Sequence, residues 1–143
     1  MIILTALLHR NPALTHDEFL HHWHEVHGPL IRDTPSLARH IVRYEQYDGV
    51  DDRGVGGGFD GVALQWLWSM DSLFDFVAEP AYAEVLAPDE QYLLDMDRIQ
   101  VSFRESLPRA VVIRADSTDR PSVEEKWPGY EQRLGDKWFG EEH

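Results

Sequence analysis

The sequence predicts one α+β domain whose elements follow the order β-α-β-β-α-β, with a C-terminal extension after it. Short runs rich in branched and aromatic residues, bounded by turn signals, indicate strands. These runs cover residues 2–9, 37–47, 62–68 and 99–103. Two intervening segments have apolar residues at helical spacing. The length of 143 residues also suits a single domain.

The first strand and the first helix have the clearest signals. Residues 2–9 form a short apolar run that Asn11 and Pro12 end, which indicates a strand buried on both faces. Thr15 and Glu18 then have the spacing of a capping box at a helix start. One apolar helix face follows, formed by Phe19, Trp23, Val26 and Leu30. Pro29 is expected to kink this helix or to end its regular part.

The remaining elements are predicted from alternation and from helix breakers. Residues 48–60 are rich in Gly and Asp and predict a flexible hairpin connection, because no Lys-Ser/Thr follows the glycines as in a phosphate loop. One face of the strand over residues 62–68 carries Val62, Leu64, Trp66 and Trp68. A second helical region is expected to have Asp71 or Ser72 as its cap and to break at Pro80 and Pro88. A short helix over 89–97 and a fifth strand over 110–113 complete the prediction.

This order of elements is the ferredoxin-like arrangement with an antiparallel sheet. Two helices cover one sheet face, and the other face would carry large apolar side chains, Trp66 and Trp68 among them. Such patches mark interfaces or ligand sites. The sequence therefore predicts a homodimer whose sheets pair face to face, forming a dimeric α/β barrel. The domain would cover residues 1–115, and the extension over 116–143 would pack on the domain or on the partner subunit.

Composition excludes several classes of function. Asp and Glu number 26 against 13 Lys and Arg, and the formal net charge of −13 disfavours binding to nucleic acid or to anionic membranes. No run approaches the roughly 20 apolar residues of a membrane span, and the start does not have the pattern of a signal peptide. The sequence has no cysteine, so disulfides and thiolate chemistry are excluded, and a cytoplasmic location is expected.

Several motifs, in the right order, resemble the EthD family. The opening pattern is Leu14-Thr15-His16-Asp17-Glu18-Phe19, then Trp23, then His27-Gly28-Pro29-Leu30. The later matches are Arg43-Tyr44, Asp60-Gly61-Val62-Ala63 with Trp66, Asp89-Glu90, Phe103 and Glu105. The resemblance covers roughly residues 1–107 and implies a dimeric α/β barrel with a pocket between sheet and helices. It also implies a small, largely apolar or aromatic acid or phenol as substrate. Relatives on this scaffold include anthrone oxygenases, polyketide cyclases, decarboxylases, isomerases and haem-binding proteins.

Three residues are candidates for catalysis. His27 falls on the edge of the apolar helix face, where an imidazole can take a proton from a phenol or an acidic carbon. Tyr44 can donate to a developing enolate or carboxylate oxygen, and Asp60 can orient an imidazole as its acceptor. Each has a structural alternative: a buried histidine that donates to a backbone carbonyl, a cross-strand packing tyrosine, and a turn carboxylate that caps Gly61 or Val62.

Aromatic side chains are the candidates for substrate binding, because they can stack on a flat ligand or simply form core. They are Phe19, Trp23, Trp66 and Trp68. A metal site is not predicted, since His24 and His27 are one residue short of the i, i+4 spacing of zincins and no second cluster supplies ligands. His21 is expected to be a solvated surface residue.

The sequence thus predicts a small-molecule enzyme with cofactor-independent proton-transfer chemistry on an aromatic or polyketide-like compound. The reaction would be that of a lyase, an isomerase, a cyclase or a cofactorless oxygenase. A non-catalytic carrier and a haem-binding protein are the alternatives. An axial haem ligand would be one of His9, His24, His27 and His40.

Overall fold

The computed structural model describes residues 1–112, and the strands in this part of the chain form one antiparallel sheet. They are β1 (Ile2–Leu8), β2 (Arg43–Asp48), β3 (Gly61–Leu67) and β4 (Gln100–Glu105). Their order in the sheet is β2-β3-β1-β4. The predicted α+β class and its ferredoxin-like arrangement are confirmed.

Helical segments fill the two connections that the sequence predicts to be helical. Between β1 and β2 lie α1 (His16–His22), a π-helical turn (Trp23–His27), α2 (Gly28–Arg32) and α3 (Pro35–Ala38). Between β3 and β4 lie α4 (Met70–Ala78), a second π-helical turn (Tyr82–Leu86) and α5 (Ala87–Leu93). Within the described residues, no helix is long and apolar enough to cross a membrane.

The capping box at the start of α1 is confirmed. The Glu18 N–H donates to Thr15 Oγ1 at 3.1 Å, and Glu18 Oε1 accepts from the Thr15 N–H at 3.1 Å. These bonds satisfy two backbone donors that the first turn of a helix leaves without partners. The helix start therefore follows from local sequence alone.

Several predicted boundaries differ from the structure: the strand ends shift by one or two residues, and the helix predicted over 89–97 is α5, which ends at Leu93. Three further differences have a clear physical reason. The second strand begins at Arg43, because Pro35 opens a short helix that includes Leu37; a proline in the first turn has no N–H to lose from the helix. The cap of α4 is Ser69, whose hydroxyl accepts from the Ser72 N–H, so the predicted Asp71 or Ser72 cap was wrong. Pro88 does not break the second helical region, since it lies in the first turn of α5.

Of the predicted C-terminal elements, only the first three residues of the fifth strand lie within the described part of the chain. Residues 110–112 have no regular secondary structure, so the predicted fifth strand is absent there, and residue 113 and the extension over 116–143 lie outside the described residues. All helices and strands described above belong to the unit Met1–Leu107.

The sheet face toward the helices carries small residues near its centre. Ala6 of β1 pairs with Ala63 of β3 and with Val101 of β4. Trp23 packs on this side of the sheet at 1% exposure, and a Cβ added to Gly61 would lie 2.6 Å from its ring. The small residues therefore leave space between the sheet and the helices.

Candidate functional site

A cavity of about 210 Å³ lies between the sheet and the helices. Apolar side chains form most of its wall, from Leu4, Ala6 and Leu8 of β1 to Phe76 of α4 and Leu93 of α5. The polar side chains of the wall are His27, Tyr44, Gln65, Tyr82 and Glu90. The volume is below the roughly 300–1,000 Å³ of pockets for drug-sized ligands, so the cavity suits a smaller molecule.

Two π-helical turns bring His27 and Tyr82 to the cavity wall. Each turn directly precedes a helix with proline at its second residue, Pro29 or Pro88. A proline ring clashes with the carbonyl four residues before it. The backbone instead forms the hydrogen bonds of a π-helix, which join residues five apart: the Gly28 N–H donates to Trp23 O, and the Ala87 N–H donates to Tyr82 O.

The extra residue in the first π-helical turn changes which side chains face the core. The predicted apolar face included Val26, but Val26 is 42% exposed and His27 is 6% exposed. An α-helix turns 100° per residue, and a π-turn inserts one residue into that repeat. The buried helix face therefore shifts by one residue after Trp23, and the imidazole of His27 faces the core where Val26 was predicted to do so.

His27 and His22 share the carboxylate of Asp89. His27 Nδ1 lies 2.7 Å from Asp89 Oδ2, and His22 Nε2 lies 2.7 Å from Asp89 Oδ1. Burial lowers the pKa of His27 below its usual value, and this effect outweighs the hydrogen bond and the negative charge of Asp89. Since Asp89 accepts from Nδ1, the neutral imidazole has its lone pair on Nε2.

Tyr44 contributes a hydroxyl to the same wall. The Gln46 side chain donates from Nε2 to this hydroxyl at 3.1 Å, and it also donates to Trp23 O at 3.0 Å. Burial raises the pKa of Tyr44 above its usual value, although the Gln46 hydrogen bond opposes this shift. The phenol is therefore un-ionised at neutral pH and has a proton to donate.

Glu90 and Tyr82 form a second polar pair in the cavity. The Tyr82 hydroxyl donates to Glu90 Oε2 at 3.1 Å. Burial raises the pKa of Glu90, and burial together with the neighbouring Glu90 charge raises the pKa of Tyr82 to about 12. A carboxyl group with a raised pKa is suited to holding and returning a proton.

The structure brings together three of the seven predicted site residues. His27, Tyr44 and Trp23 all line the cavity. Phe19 does not reach it, because its ring is fully buried and stacks on Trp23 with ring centroids 5.4 Å apart. Phe19 therefore supports the cavity wall from behind.

Asp60 takes part in a different network from the one that the sequence predicts. Its carboxylate accepts from the Arg10 N–H and from Arg10 Nη1, both at 2.8 Å, and it lies 2.7 Å from His16 Nδ1. It does orient an imidazole, but that of His16. The carboxylate beside His27 is Asp89, because the first turn of α5 packs against the π-helical turn that carries His27.

Trp66 and Trp68 lie away from the cavity. Ala63 and Gln65 of β3 line it, and side chains alternate along a strand, so Trp66 faces the opposite side of the sheet. The guanidinium carbon of Arg43 lies 5.6 Å from the centroid of the Trp66 ring. Trp68 follows the end of β3 and is 64% exposed.

Sequence reasoning assigned no role to Asp89, Glu90, Tyr82 or Gln46. Asp89 and Glu90 were part of the family resemblance, and this was the only signal for them. Tyr82 could have been found from Pro88, six residues later, because the same spacing from a proline separates Trp23 and Pro29. Gln46 had no signal, since a glutamine on a strand is ordinary.

Most of the remaining histidines have partners in the structure. His24 Nδ1 lies 2.7 Å from Gln46 Oε1 and its Nε2 lies 2.5 Å from Asp48 Oδ1, while His40 Nε2 lies 2.7 Å from Glu79. His9 is buried and its ring lies 4.8 Å from that of Phe59. His21 is exposed, as predicted. Residues 1–112 contain no group of three or more acidic or histidine side chains that could hold a metal ion.

Solved structures with the same fold come from several organisms. A protein of Arabidopsis thaliana has a TM-score of 0.58 and 11% identity, over 78% of this chain and 100% of that one. An EthD family protein of Bacillus halodurans has a TM-score of 0.56 and 17% identity, over 75% and 99%. A dimeric protein of ferredoxin-like fold from Bacteroides fragilis has a TM-score of 0.54 and 10% identity, over 73% and 94%. At these identities the likeness shows the fold alone.

The sequence itself identifies the family. No curated protein matches it. The model of the EthD domain matches residues 11–97, which include His27, Tyr44, Asp89 and Glu90. The matched segment is more than half of the chain, so this protein belongs to the EthD family.

Proposed function

We propose that the protein binds a small, largely apolar or aromatic compound in the cavity and removes a proton from it. The observation that carries this proposal is the buried His27 imidazole on the cavity wall with Asp89 bound to its Nδ1. A proton transfer of this kind is the first step of lyase, isomerase and cyclase reactions, and of cofactorless oxygenation of an ionised phenol.

His27 would act as the general base. Its lowered pKa keeps the imidazole neutral at pH 7, and a base that is neutral and oriented at the working pH is effective. Asp89 accepts the Nδ1 proton, which selects the tautomer with Nε2 free to accept from the substrate. Asp89 would thus have the orienting role that the sequence suggested for Asp60.

Tyr44 and Glu90 would complete the reaction. When Nε2 takes a proton from carbon or from a phenol, the electron pair moves to an oxygen, which a hydrogen bond from the Tyr44 hydroxyl stabilises. Glu90 has a raised pKa and lies on the same wall, so in its protonated form it can donate a proton to another atom of the substrate. An isomerase or a cyclase needs such a return step.

We also propose that the protein is a homodimer in the cytoplasm. Two solved relatives with this fold, from Bacteroides fragilis and Thermobifida fusca, are dimeric. Light scattering of the purified protein tests the assembly, and a mass of one chain, 16.6 kDa, would contradict it.

A thermal-shift screen tests the substrate class. The panel contains phenols, hydroxyanthrones, aromatic and lactone acids, and hemin. A ligand at 100 times its Kd stabilises the folded state by about 2.7 kcal/mol, which a shift in Tm reveals. The proposal expects hits among the aromatic compounds, and a panel without any aromatic hit would contradict it.

Turnover of the hit then separates an enzyme from a carrier. His27→Asn should lower kcat by roughly 10²- to 10⁴-fold, because a positioned general base contributes that much. The matched control is His40→Asn, which removes a histidine paired with Glu79 at the same 2.7 Å distance but outside the cavity wall. A ligand that binds with unchanged affinity to both variants and is never converted would favour the carrier.

A haem-binding protein is favoured less by the site. Among the described residues that line the cavity, His27 is the one candidate axial ligand, and the volume of about 210 Å³ is small for a macrocycle. A hit with hemin alone, with a Soret band lost in His27→Asn, would replace the proposal by this alternative.

A further inference from the structure

Gln46 connects the surface of the protein to the cavity through three hydrogen bonds. Its Oε1 lies 2.7 Å from His24 Nδ1, and its Nε2 donates to Trp23 O at 3.0 Å and to the Tyr44 hydroxyl at 3.1 Å. A backbone carbonyl can only accept, so the atom that faces Trp23 O must be the amide nitrogen. This contact determines the orientation of the amide, and the donor to Tyr44 is thereby identified.

The approach of Gln46 to the helix depends on Gly28. A Cβ added to Gly28 would lie 3.0 Å from Gln46 Nε2, so a larger residue would push the amide away. The carbonyl of Trp23 is also the acceptor of the five-residue step of the π-helical turn. The amide of Gln46 is therefore held by the same irregular backbone that brings His27 to the cavity wall.

The hydrogen bond that Tyr44 accepts from Gln46 limits the directions in which the Tyr44 hydroxyl can donate its own proton. The Tyr44 oxygen accepts from Gln46, and a hydroxyl has one proton to donate. Among residues 1–112 no acceptor for that proton is recorded, and Tyr44 lines the cavity. Because Tyr44 lines the cavity, an acceptor oxygen of a bound ligand can take that proton.

We infer that Gln46 is a positioning residue that makes the Tyr44 hydroxyl a hydrogen-bond donor to the ligand, so that the preferred ligand carries a carbonyl-type acceptor oxygen besides its ionisable proton. This inference rests on the proposed function and narrows the substrate to aromatic ketones, aldehydes, quinone-like rings and enolisable carbonyl compounds. In such molecules the electron pair released when His27 takes the proton moves onto the carbonyl oxygen. That oxygen then receives the Tyr44 hydrogen bond.

Two probes of nearly equal shape test the acceptor oxygen. 4-Hydroxyacetophenone has a ketone where 4-ethylphenol has a methylene, and both are phenols of one ring. Calorimetric affinities are measured for wild type, Gln46→Leu, Tyr44→Phe and the double variant. Wild type should prefer the ketone by roughly three- to tenfold, the range of one net hydrogen bond. Each single variant should lose this preference, and the double variant should lose no more.

The controls separate positioning from general damage. Gln100→Leu makes the same substitution at an exposed position of β4 and should keep the preference. Gln46→Glu keeps an acceptor toward His24 but has no donor for Tyr44 when ionised, and it replaces Gln46→Leu if that variant does not fold. A merely structural role of Gln46 would weaken the binding of both probes equally.

The outcomes distinguish this inference from the proposed function. If Tyr44→Phe loses the preference and both Gln46 variants keep it, the role of Gln46 is refuted while the proposed function stands. If wild type binds both probes equally, the acceptor-oxygen preference is refuted. If wild type binds neither probe nor any aromatic compound of the thermal-shift panel, the proposed function fails and this inference fails with it.

Discussion

The protonation of His27 yields a prediction whose sign depends on which of two opposing effects is larger. Asp89 lies 2.7 Å from the imidazole and favours its charged form, whereas burial at 6% exposure favours the neutral form. In this structure burial has the larger effect and the pKa of His27 is lowered. A histidine with a folded-state pKa below its unfolded value of about 6.5 binds fewer protons in the folded state. Its contribution to stability is therefore present at neutral pH and is lost as the pH falls below about 6.5.

The size of the effect follows from proton linkage. One proton bound only by the unfolded state changes the free energy of unfolding by at most about 1.4 kcal/mol per pH unit. The slope applies between the unfolded pKa and the lower folded pKa, and it vanishes below both. His27→Asn keeps an amide donor for Asp89 and removes the titration. The stability of wild type relative to His27→Asn should therefore rise with pH below about 6.5 and then level off.

Urea unfolding of both proteins at half-unit steps from pH 5 to 7.5 measures this difference, with protein concentration held constant. The midpoint of the His27 imidazole is read separately by NMR, with the assignment taken from its absence in His27→Asn. Asp89→Asn keeps an acceptor oxygen and removes the charge, so it should lower the midpoint further. A difference in stability that falls with pH, or a midpoint above 6.5, would refute the reasoning, since it would mean that Asp89 outweighs burial.

Three further predictions concern packing and the predicted residues that lie outside the cavity. Phe19→Ala should lower the free energy of unfolding by about 3–5 kcal/mol, because the ring is fully buried. Trp68→Ala should change it by less than about 1 kcal/mol, because Trp68 is 64% exposed. Equal losses for the two variants in urea unfolding would contradict the assigned burial. Gly61→Ala should cost about 1–3 kcal/mol, because its Cβ would lie 2.6 Å from the Trp23 ring, and an unchanged Tm would show that the ring can move aside. Asp60→Asn should destabilise the fold by roughly 1–3 kcal/mol and leave ligand affinity in the cavity unchanged, since its partners are Arg10 and His16; a loss of turnover without a loss of stability would restore the catalytic role predicted from sequence.

Elements that depend on neighbouring residues could be predicted from the sequence. The capping box of Thr15 and Glu18 forms as expected because its partners are three residues apart. The strands and their order follow from alternation and from the β-α-β-β-α-β sequence of elements. Errors arose where two local signals competed, as at Pro35, which starts a helix that continues into the segment over 37–47 predicted as a strand.

The position of Val26 shows the limit of periodicity. Helical spacing placed it on the buried face, but the π-helical turn before Pro29 rotates the chain by one residue and exposes it. Pro29 in the sequence predicts that the helix is irregular at this point. The sequence does not predict a π-helical turn, because a proline at this position could equally have ended the helix.

The sequence by itself determined the family, the fold and two cavity residues whose side chains can transfer a proton or donate a hydrogen bond, His27 and Tyr44. Each of these depends on patterns within one element or on motifs in a fixed order. Only the tertiary structure decided that Asp89, 62 residues from His27 along the chain, is its partner, and that Asp60 instead binds Arg10, 50 residues away. A carboxylate has the same sequence signal wherever it lies, and its partner is determined by the packing of helices that are distant along the chain.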